Sequence, residues 1–327
     1  MNVLITGASG FVGPHLARAV RTAGGRVFGT GLEAAAPAAL AGDAALERYA
    51  AWDVAQGPEG GAQALAWGAD AIVHLAGQAS AARSFEDPEA TFAANARGTL
   101  ALLEAARRAR FAGPVLVVSS SEVYGRLEPG RPAREDDTIA PVSPYGASKA
   151  AAEALAQAYA RGYGLRVVIA RSFSHTGPGQ GPAFALASWA RQIAAAEAQQ
   201  ARGGKGPFRL AVGNLSPVRD YSDVRDVVRA YLVLLEHGAG ATAYNVASGR
   251  GVALGDALAL LTARARTPIE VVEDPARLRP ADLTYLVGDP ARLVALGFEA
   301  RHALEETFEA LLDGARRDEA ASPTGGA

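Results

Sequence analysis

Tyr145 and Lys149 stand four residues apart in Ser143-Pro144-Tyr145-Gly146-Ala147-Ser148-Lys149. Ser143 and Pro144 read as the N-cap and first position of a helix, so phenol and ammonium share one helix face. A cation beside a phenol favours the phenolate, and the spacing predicts a lowered Tyr145 pKa. Such a group gives and takes a proton near neutrality. A surface tyrosine and lysine on an ordinary Ala-rich helix would show the same spacing. Composition argues for chemistry: of 32 basic residues only Lys149 and Lys205 are lysines. Lysine offers a compact, tunable charge that a guanidinium does not.

A reagent for that phenol is suggested at the other end of the chain. The apolar run Val3-Leu4-Ile5 leads into Thr6-Gly7-Ala8-Ser9-Gly10-Phe11-Val12-Gly13, followed by a helical pattern from His15 to Val20. This is strand, glycine turn, helix. Gly7 permits the tight turn, Gly10 lets backbone approach a pyrophosphate and Gly13 lets helix pack on strand. The helix N-terminus then faces the phosphates. Ser9, Phe11 and Val12 belong to the same dinucleotide-binding turn.

The elements that must position these residues follow in order. Arg26 to Thr30 is a second strand, and a carboxylate at its end would suit NAD whereas an arginine would suit NADP. The end reads Thr30-Gly31-Leu32-Glu33. Glu33 is late for a ribose ligand and reads equally as a solvated loop acid, so NADP and NAD both stay open. Asp53-Val54 reads as a cap on the adenine edge or as a plain turn. Ala71 to Gln78 is a buried parallel strand closing on Leu75, Ala76 and Gly77, small enough for a cofactor to lie close, with His74 in the sheet core. A long helix over 92–110 carries Asn95, also assigned to the cofactor. Val115 to Val118 leads into Ser119-Ser120-Ser121-Glu122-Val123-Tyr124-Gly125. Ligands gather at the carboxyl ends of such strands, which puts Ser119, Ser120 and Glu122 at the mouth of the site. Leu165 to Arg171 is another buried strand, ending at Ser172 near the cofactor.

The totals narrow the class. With 327 residues, 49% hydrophobic residues and a net charge of -2, the sequence is that of a globular protein with a large core. Neither charge sign dominates, so no nucleic-acid or membrane partner is suggested. The absence of cysteine rules out disulfides and thiol catalysis, and the five histidines lack ligand spacing, so no metal is expected. Met1 to Ile5 is too short for a signal peptide and no apolar run reaches a membrane span. A cytoplasmic address is expected.

Thr6 to Gly13, Ser119 to Gly125 and Tyr145-x-x-x-Lys149 together resemble the extended short-chain dehydrogenase/reductases that act on nucleotide sugars, over nearly the whole chain. The resemblance implies an α/β fold: a doubly wound parallel sheet (Rossmann) with a smaller C-terminal α/β substrate domain. Residues 1–172 would bind NAD(P), with later segments returning to that domain. Residues 173–315 would mainly build the substrate side and 316–327 a disordered tail. It implies a triad of Ser120, Tyr145 and Lys149. Tyr145 exchanges a proton with the sugar O4, Ser120 shares that hydrogen bond and Lys149 also holds the nicotinamide ribose. Hydride moves between nicotinamide and sugar C4. Helices over 92–110 and 145–161 would pair with a second copy in a homodimer.

Within that family, Phe173 to Gln180, Asn214 to Val224 and Glu273 to Asp282 are similar to GDP-4-dehydro-6-deoxy-D-mannose reductases. One departure is Ser174, where that pattern has asparagine. The similarity implies substrate contacts from Gln78, Ser84, Ser174, His175, Arg219 and Arg279; a guanidinium offers a fork of donors to a diphosphate. The implied reaction is NAD(P)H-dependent reduction of the 4-keto group of a GDP-linked 6-deoxyhexose. Glu122 keeps the 4,6-dehydratase as a rival, since that reaction needs a base and an acid at C5 and C6. A 4-epimerase with retained cofactor and a non-catalytic NAD(P)-binding sensor are the others.

Overall fold

Short apolar runs punctuated by glycine leave this chain little choice but buried parallel strands. The computed structural model describes residues 1–277 and 283–321. The strands in chain order are β1 (Val3–Thr6), β2 (Val27–Gly31), β3 (Arg48–Ala51), β4 (Ala71–His74), β5 (Val115–Ser120), β6 (Val167–Ser172) and β7 (Ser174–Thr176). They continue with β8 (Phe208–Val212), β9 (Val218–Asp223), β10 (Ala243–Val246), β11 (Gly251–Ala253), β12 (Ile269–Glu273) and β13 (Tyr285–Leu286).

Seven of them form one parallel sheet in the order β10-β6-β5-β4-β1-β2-β3. Strand order reverses between β1 and β4, and at such a switch point the carboxyl ends of the strands leave a crevice for ligands. Alternate strand residues pack into two cores. Ile5, Val73 and Leu116 meet the helices Val12–Thr22 and Val224–His237 on one face. Leu4, Ile72 and Val117 meet the helices Gly98–Arg108 and Pro144–Tyr163 on the other. Fully burying each such side chain contributes about 1.5–3 kcal/mol, which is why this sheet is the rigid platform of the molecule.

The smaller part has its own core, where helices Ala185–Ala201, Leu254–Thr262 and Leu304–Ala321 pack with β8. A separate small sheet sets β11, β13 and β7 around β9. Asp220 on β9 is buried and accepts from Ser248 N and Oγ, Gly249 N and Gly288 N, tying two loops to that strand.

Two expectations change. The helix over 92–110 is interrupted: a π-type turn, Ala93–Arg97, joins Pro88–Phe92 to Gly98–Arg108 and carries Asn95. Single π turns are frequent at functional sites. Residues 316–321, expected in a disordered tail, continue the last helix, because Arg316 pairs with Glu197 at 2.8 Å and anchors that turn. Arg279 and residues 322–327 lie outside the described residues.

Candidate active site

The helix Pro144–Tyr163 starts as its sequence requires: Ser143 Oγ accepts from Gly146 N at 3.0 Å and Pro144 occupies the first turn. This cap fixes where Tyr145 begins. Tyr145 is buried and its phenol is hydrogen-bonded to Ser120, at the carboxyl end of β5. Lys149 Nζ donates to Val118 O at 2.9 Å, one strand position before the serines. Ser120, Tyr145 and Lys149 therefore converge at the end of β5.

The electrostatics reverse one expectation. Burial pushes the Tyr145 phenol above its usual value, the Ser120 hydrogen bond pulls the other way and the Glu122 charge adds to the rise. Lys149 is not among the causes; its own ammonium is drawn down to about 8 by withdrawal from water, with Glu153 opposing. Helical spacing put the two side chains on one face, but desolvation outweighs the cation here. A phenol so held keeps its proton at neutral pH.

The glycine turn fits a dinucleotide. Gly7 sits at φ +68, and a Cβ there would lie 2.6 Å from Ala76 N, so the turn presses against the end of β4 as only glycine can. A Cβ on Gly13 would lie 1.9 Å from Ala8 O, which gives the close helix-strand packing. At Gly10 the only near neighbour would be Gly7 O at 3.3 Å, leaving its outer side open to a phosphate. A bound nicotinamide cofactor would supply hydride chemistry. The residues to hold it are Gly7, Ser9, Gly10 and the N-terminal turn beginning at Val12, with Lys149 at the far end of the crevice.

Other expected residues have partners of their own. Asn95 Oδ1 accepts from Gln78 N at 2.8 Å, and its Nδ2 donates to Gln78 O and Ser148 Oγ, so it shapes the Gly77-Gln78 loop. A Cβ on Gly77 would lie 2.5 Å from that Oδ1 and 3.7 Å from Lys149 Nζ, which brings this loop to the lysine. The Gln78 side chain bonds Ser80 within its own loop and Thr91 on the helix Pro88–Phe92. Ser84 is fully buried and donates to Ala81 O. Asp53 is exposed and caps the turn Val54–Gln56, while Val54 is buried. Leu75 continues from β4, its N–H donating to Thr6 O. Thr30 Oγ1 is buried without a partner among the described residues. Ser172 Oγ meets Tyr231 Oη at 2.7 Å, and Ser119 Oγ donates to Glu153 at 2.5 Å.

On the substrate side, β7 pairs with β9, setting Ser174 beside Tyr221 and His175 beside Ser222, two and three residues beyond Arg219. His175 Nδ1 meets Phe173 O at 2.9 Å, and its ring stacks on Phe11 of the glycine turn at 6.1 Å. His15 Nε2 reaches Pro178 O at 2.9 Å, so the cofactor helix and the substrate loop touch twice. Arg219 Nη1 donates to Val218 O at 3.0 Å. Glu122 Oε2 accepts from Ser143 Oγ at 2.8 Å, which ties the mouth carboxylate to the catalytic helix cap.

Sequence reasoning missed one buried cluster. Arg171 donates to both oxygens of Glu153 and to Tyr124 Oη and Glu135 O. Tyr124 in turn donates to Asn245 at 2.6 Å. The available signal was Glu153, four residues after Lys149, together with a charged residue inside the apolar run of β6.

Residues 3–247 match the model of the NAD dependent epimerase/dehydratase family. The chain belongs to that family. This epimerase/dehydratase-family chain is 40% identical over 245 residues to the GDP-6-deoxy-D-mannose reductase of Pseudomonas aeruginosa, covering 74% of this chain and 79% of that protein. Among solved structures it superposes on RMD from P. aeruginosa complexed with NADPH, with a TM-score of 0.80 and 34% identity over 97% of this chain and 99% of the other. The Thermus thermophilus UDP-glucose 4-epimerase complex with NAD gives a TM-score of 0.84 at 30% identity, over 97% and 99% of the two chains. The Rossmann sheet and an NAD(P)-dependent nucleotide-sugar enzyme are thus what sequence, fold and relatives agree on.

Proposed function

We propose that the chain reduces the 4-keto group of a GDP-linked 6-deoxyhexose, with Tyr145 as proton donor to the sugar O4. The supporting observation is the phenol itself: buried and hydrogen-bonded to Ser120 at the carboxyl end of β5, with Lys149 one helical turn on. Reduction needs a proton delivered to the sugar oxygen as hydride arrives, and the Tyr145 phenol is the group proposed to give it. Ser120 orients the phenol, and Lys149 holds the nicotinamide ribose. The similarity to a GDP-6-deoxy-D-mannose reductase supports the GDP-sugar.

On this reading residues 1–172, joined by β10, form the cofactor lobe and 173–315 the substrate lobe. Ser174, His175 and Arg219 then face the nucleotide sugar, with Gln78 and Ser84 shaping the sugar end. A homodimer goes with it. Phe92 and Leu100 are 53% and 38% exposed, and with Ala96, Ala151, Ala154 and Leu155 they line one apolar cleft. A second copy covering that cleft would bury it; Leu100→Asp should then shift the protein to monomer in light scattering, and a wild type that is already monomeric overturns the dimer. A cytoplasmic address completes the reading; among the described residues no helix is long and apolar enough to cross a membrane.

The test is to add GDP-4-keto-6-deoxymannose with NADH or NADPH and follow the reduced-nicotinamide absorbance, with UDP and dTDP sugars in parallel. Stoichiometric loss with the GDP sugar is expected. Sugar conversion without net cofactor change overturns the reductase. A second reading, the 4,6-dehydratase, is favoured by Glu122, whose carboxylate lies close enough to Tyr145 to raise its pKa and is fixed by Ser143.

A further inference from the structure

We propose that Tyr124, Asn245 and Asp220 are positioning residues: they tie the catalytic helix to β9 and fix the reach from Tyr145 to Arg219. The proposal rests on the reading of Arg219 as a contact for the diphosphate of a nucleotide sugar.

The tie begins beside the reaction centre. Glu153, on the same helix as Tyr145, accepts from Ser119 Oγ, next to Ser120, and from Arg171 on β6. Arg171 Nη1 donates to Tyr124 Oη at 3.0 Å, and Tyr124 Oη donates onward to Asn245 Oδ1 at 2.6 Å. Asn245 is fully buried on β10, beside Arg171 in the register of the sheet. Its Nδ2 donates to Ala133 O at 2.8 Å and to Asp289 O at 3.2 Å, and its backbone N–H to Glu135 Oε1 at 2.8 Å. Ala133 clamps the same segment, its N–H donating to Val287 O and its carbonyl accepting from Asp289 N, both at 2.8 Å. Gly288 N then reaches Asp220 Oδ2 at 3.3 Å, and Leu286 pairs with Arg219 itself. Hydrogen bonds and single peptide units thus run without a break from the neighbour of Ser120 to the neighbour of Arg219.

The ends of this path explain its use. Lobes of one chain move relative to one another by default, yet Tyr145 and Arg219 must engage one substrate together. Misplacement by about 1 Å can cost roughly 10²-fold in rate. Arg219 and Asp220 are successive strand residues and stand on opposite faces of β9, so pinning Asp220 from behind orients the face that Arg219 occupies. An amide at 245 accepts from Tyr124 and donates to two carbonyls at once; neither a carboxylate nor an apolar side chain does both. The middle of the tie is dry, with Val123, Ala133, Phe173 and Leu286 packed about Tyr124 in one buried cluster. A Cβ on Gly288 would lie 2.5 Å from the Phe173 ring, so that segment sits directly against the residue before Ser174. In such surroundings hydrogen bonds in series stiffen one another.

Tyr124→Phe keeps the ring under the Arg171 guanidinium and removes only the hydroxyl. With nucleotide sugar and cofactor, kcat is expected to fall by about tenfold, the scale of one hydrogen bond. Affinities for GDP alone and for the dinucleotide alone, by calorimetry, should stay at the wild-type values, because each ligand engages one end. Asp220→Asn, at the far end, should give the same split, in whichever nucleotide-sugar conversion the wild type carries out. Together the two should lose no more than either alone, since a tie broken once is already open. Losses that multiply assign the residues to separate local roles and overturn the proposal, as does a lowered melting temperature with kcat intact. Amide exchange by mass spectrometry reads the tie without turnover, and its wild-type result stands whether or not either variant folds. GDP should slow exchange in the first turns of the helix Pro144–Tyr163 in the wild type and not in Tyr124→Phe. GDP binding without that change in the wild type overturns the proposal alone. Failure of GDP, UDP and dTDP alike to bind overturns the nucleotide-sugar reading with it, which keeps the two failures apart.

Discussion

Along the helix Pro144–Tyr163, Glu153 and Tyr145 are two buried polar residues eight positions apart in opposite circumstances. Glu153 is buried against Arg171 and accepts three donations from it, with Ser119 adding a fourth. Arg171 completes its set on Tyr124 and Glu135 O. Among the described residues the Tyr145 phenol is hydrogen-bonded to Ser120 and feels the Glu122 charge, and Lys149 between the two residues donates to Val118 O. A buried charge matched on every side holds structure together but has no chemistry left to offer. Groups whose ionisation is displaced by burial without a matched counter-charge are where reactions are to be sought. One helix therefore carries both an anchor and the proposed reaction centre, about two turns apart.

That contrast can be broken at either end. The largest effect is expected from Tyr145→Phe, which should cut kcat by about 10²–10⁴-fold, the usual worth of a positioned proton donor, while dinucleotide affinity and melting temperature hold. Unchanged turnover would remove Tyr145 from the mechanism. Arg171→Leu should leave an unmatched buried carboxylate and cost about 3–5 kcal/mol of stability. Adding Glu153→Leu should restore much of it, read as melting temperature or denaturant midpoint; a single variant as stable as wild type would show the pair is no anchor.

Smaller changes sharpen the comparison. Glu122→Gln keeps the shape of the Ser143 hydrogen bond and removes the charge that raises Tyr145. A reductase should lose no more than about tenfold, the scale of one such bond; complete loss would favour the dehydratase. The last prediction concerns pH. Lys149 titrates at about 8 in the folded protein against 10.5 as its ordinary value. Between those values the unfolded chain binds the extra proton, so this residue's contribution makes stability rise with pH across that window. Lys149→Met should flatten that rise in unfolding curves taken from pH 8 to 10.5, and a rise that persists in the variant would assign it elsewhere.

Much of this was legible from residue types alone. Gly7, Gly10 and Gly13 and the cap at Ser143 are local patterns whose spacing dictates geometry, and the fold keeps them, whereas the triad of Ser120, Tyr145 and Lys149 was implied by the family resemblance. What the sequence could not supply was environment. The direction of the Tyr145 shift depends on how much water the fold excludes, which no four-residue spacing encodes. Glu33 reads as a late loop acid because its distance is counted along the chain, whereas its side chain returns over Gly31. Arg171 and Glu153 were hidden because their match is made across 18 residues, between a strand and a helix. Loops that turn back, and charges that meet across layers, are invisible to periodicity.

The return of Ala243–Val246 to the first sheet has a consequence for how the protein is made. β10 lies beside β6, paired with it in parallel register from Ile169 to Ser172. Until the ribosome has delivered those later residues, β6 is an open apolar edge, the template on which unfinished chains pair with one another. Translation thus reaches the end of the substrate loop and β9 before the cofactor sheet can close. A fragment stopping near residue 172 would keep its glycine turn and lose its solubility.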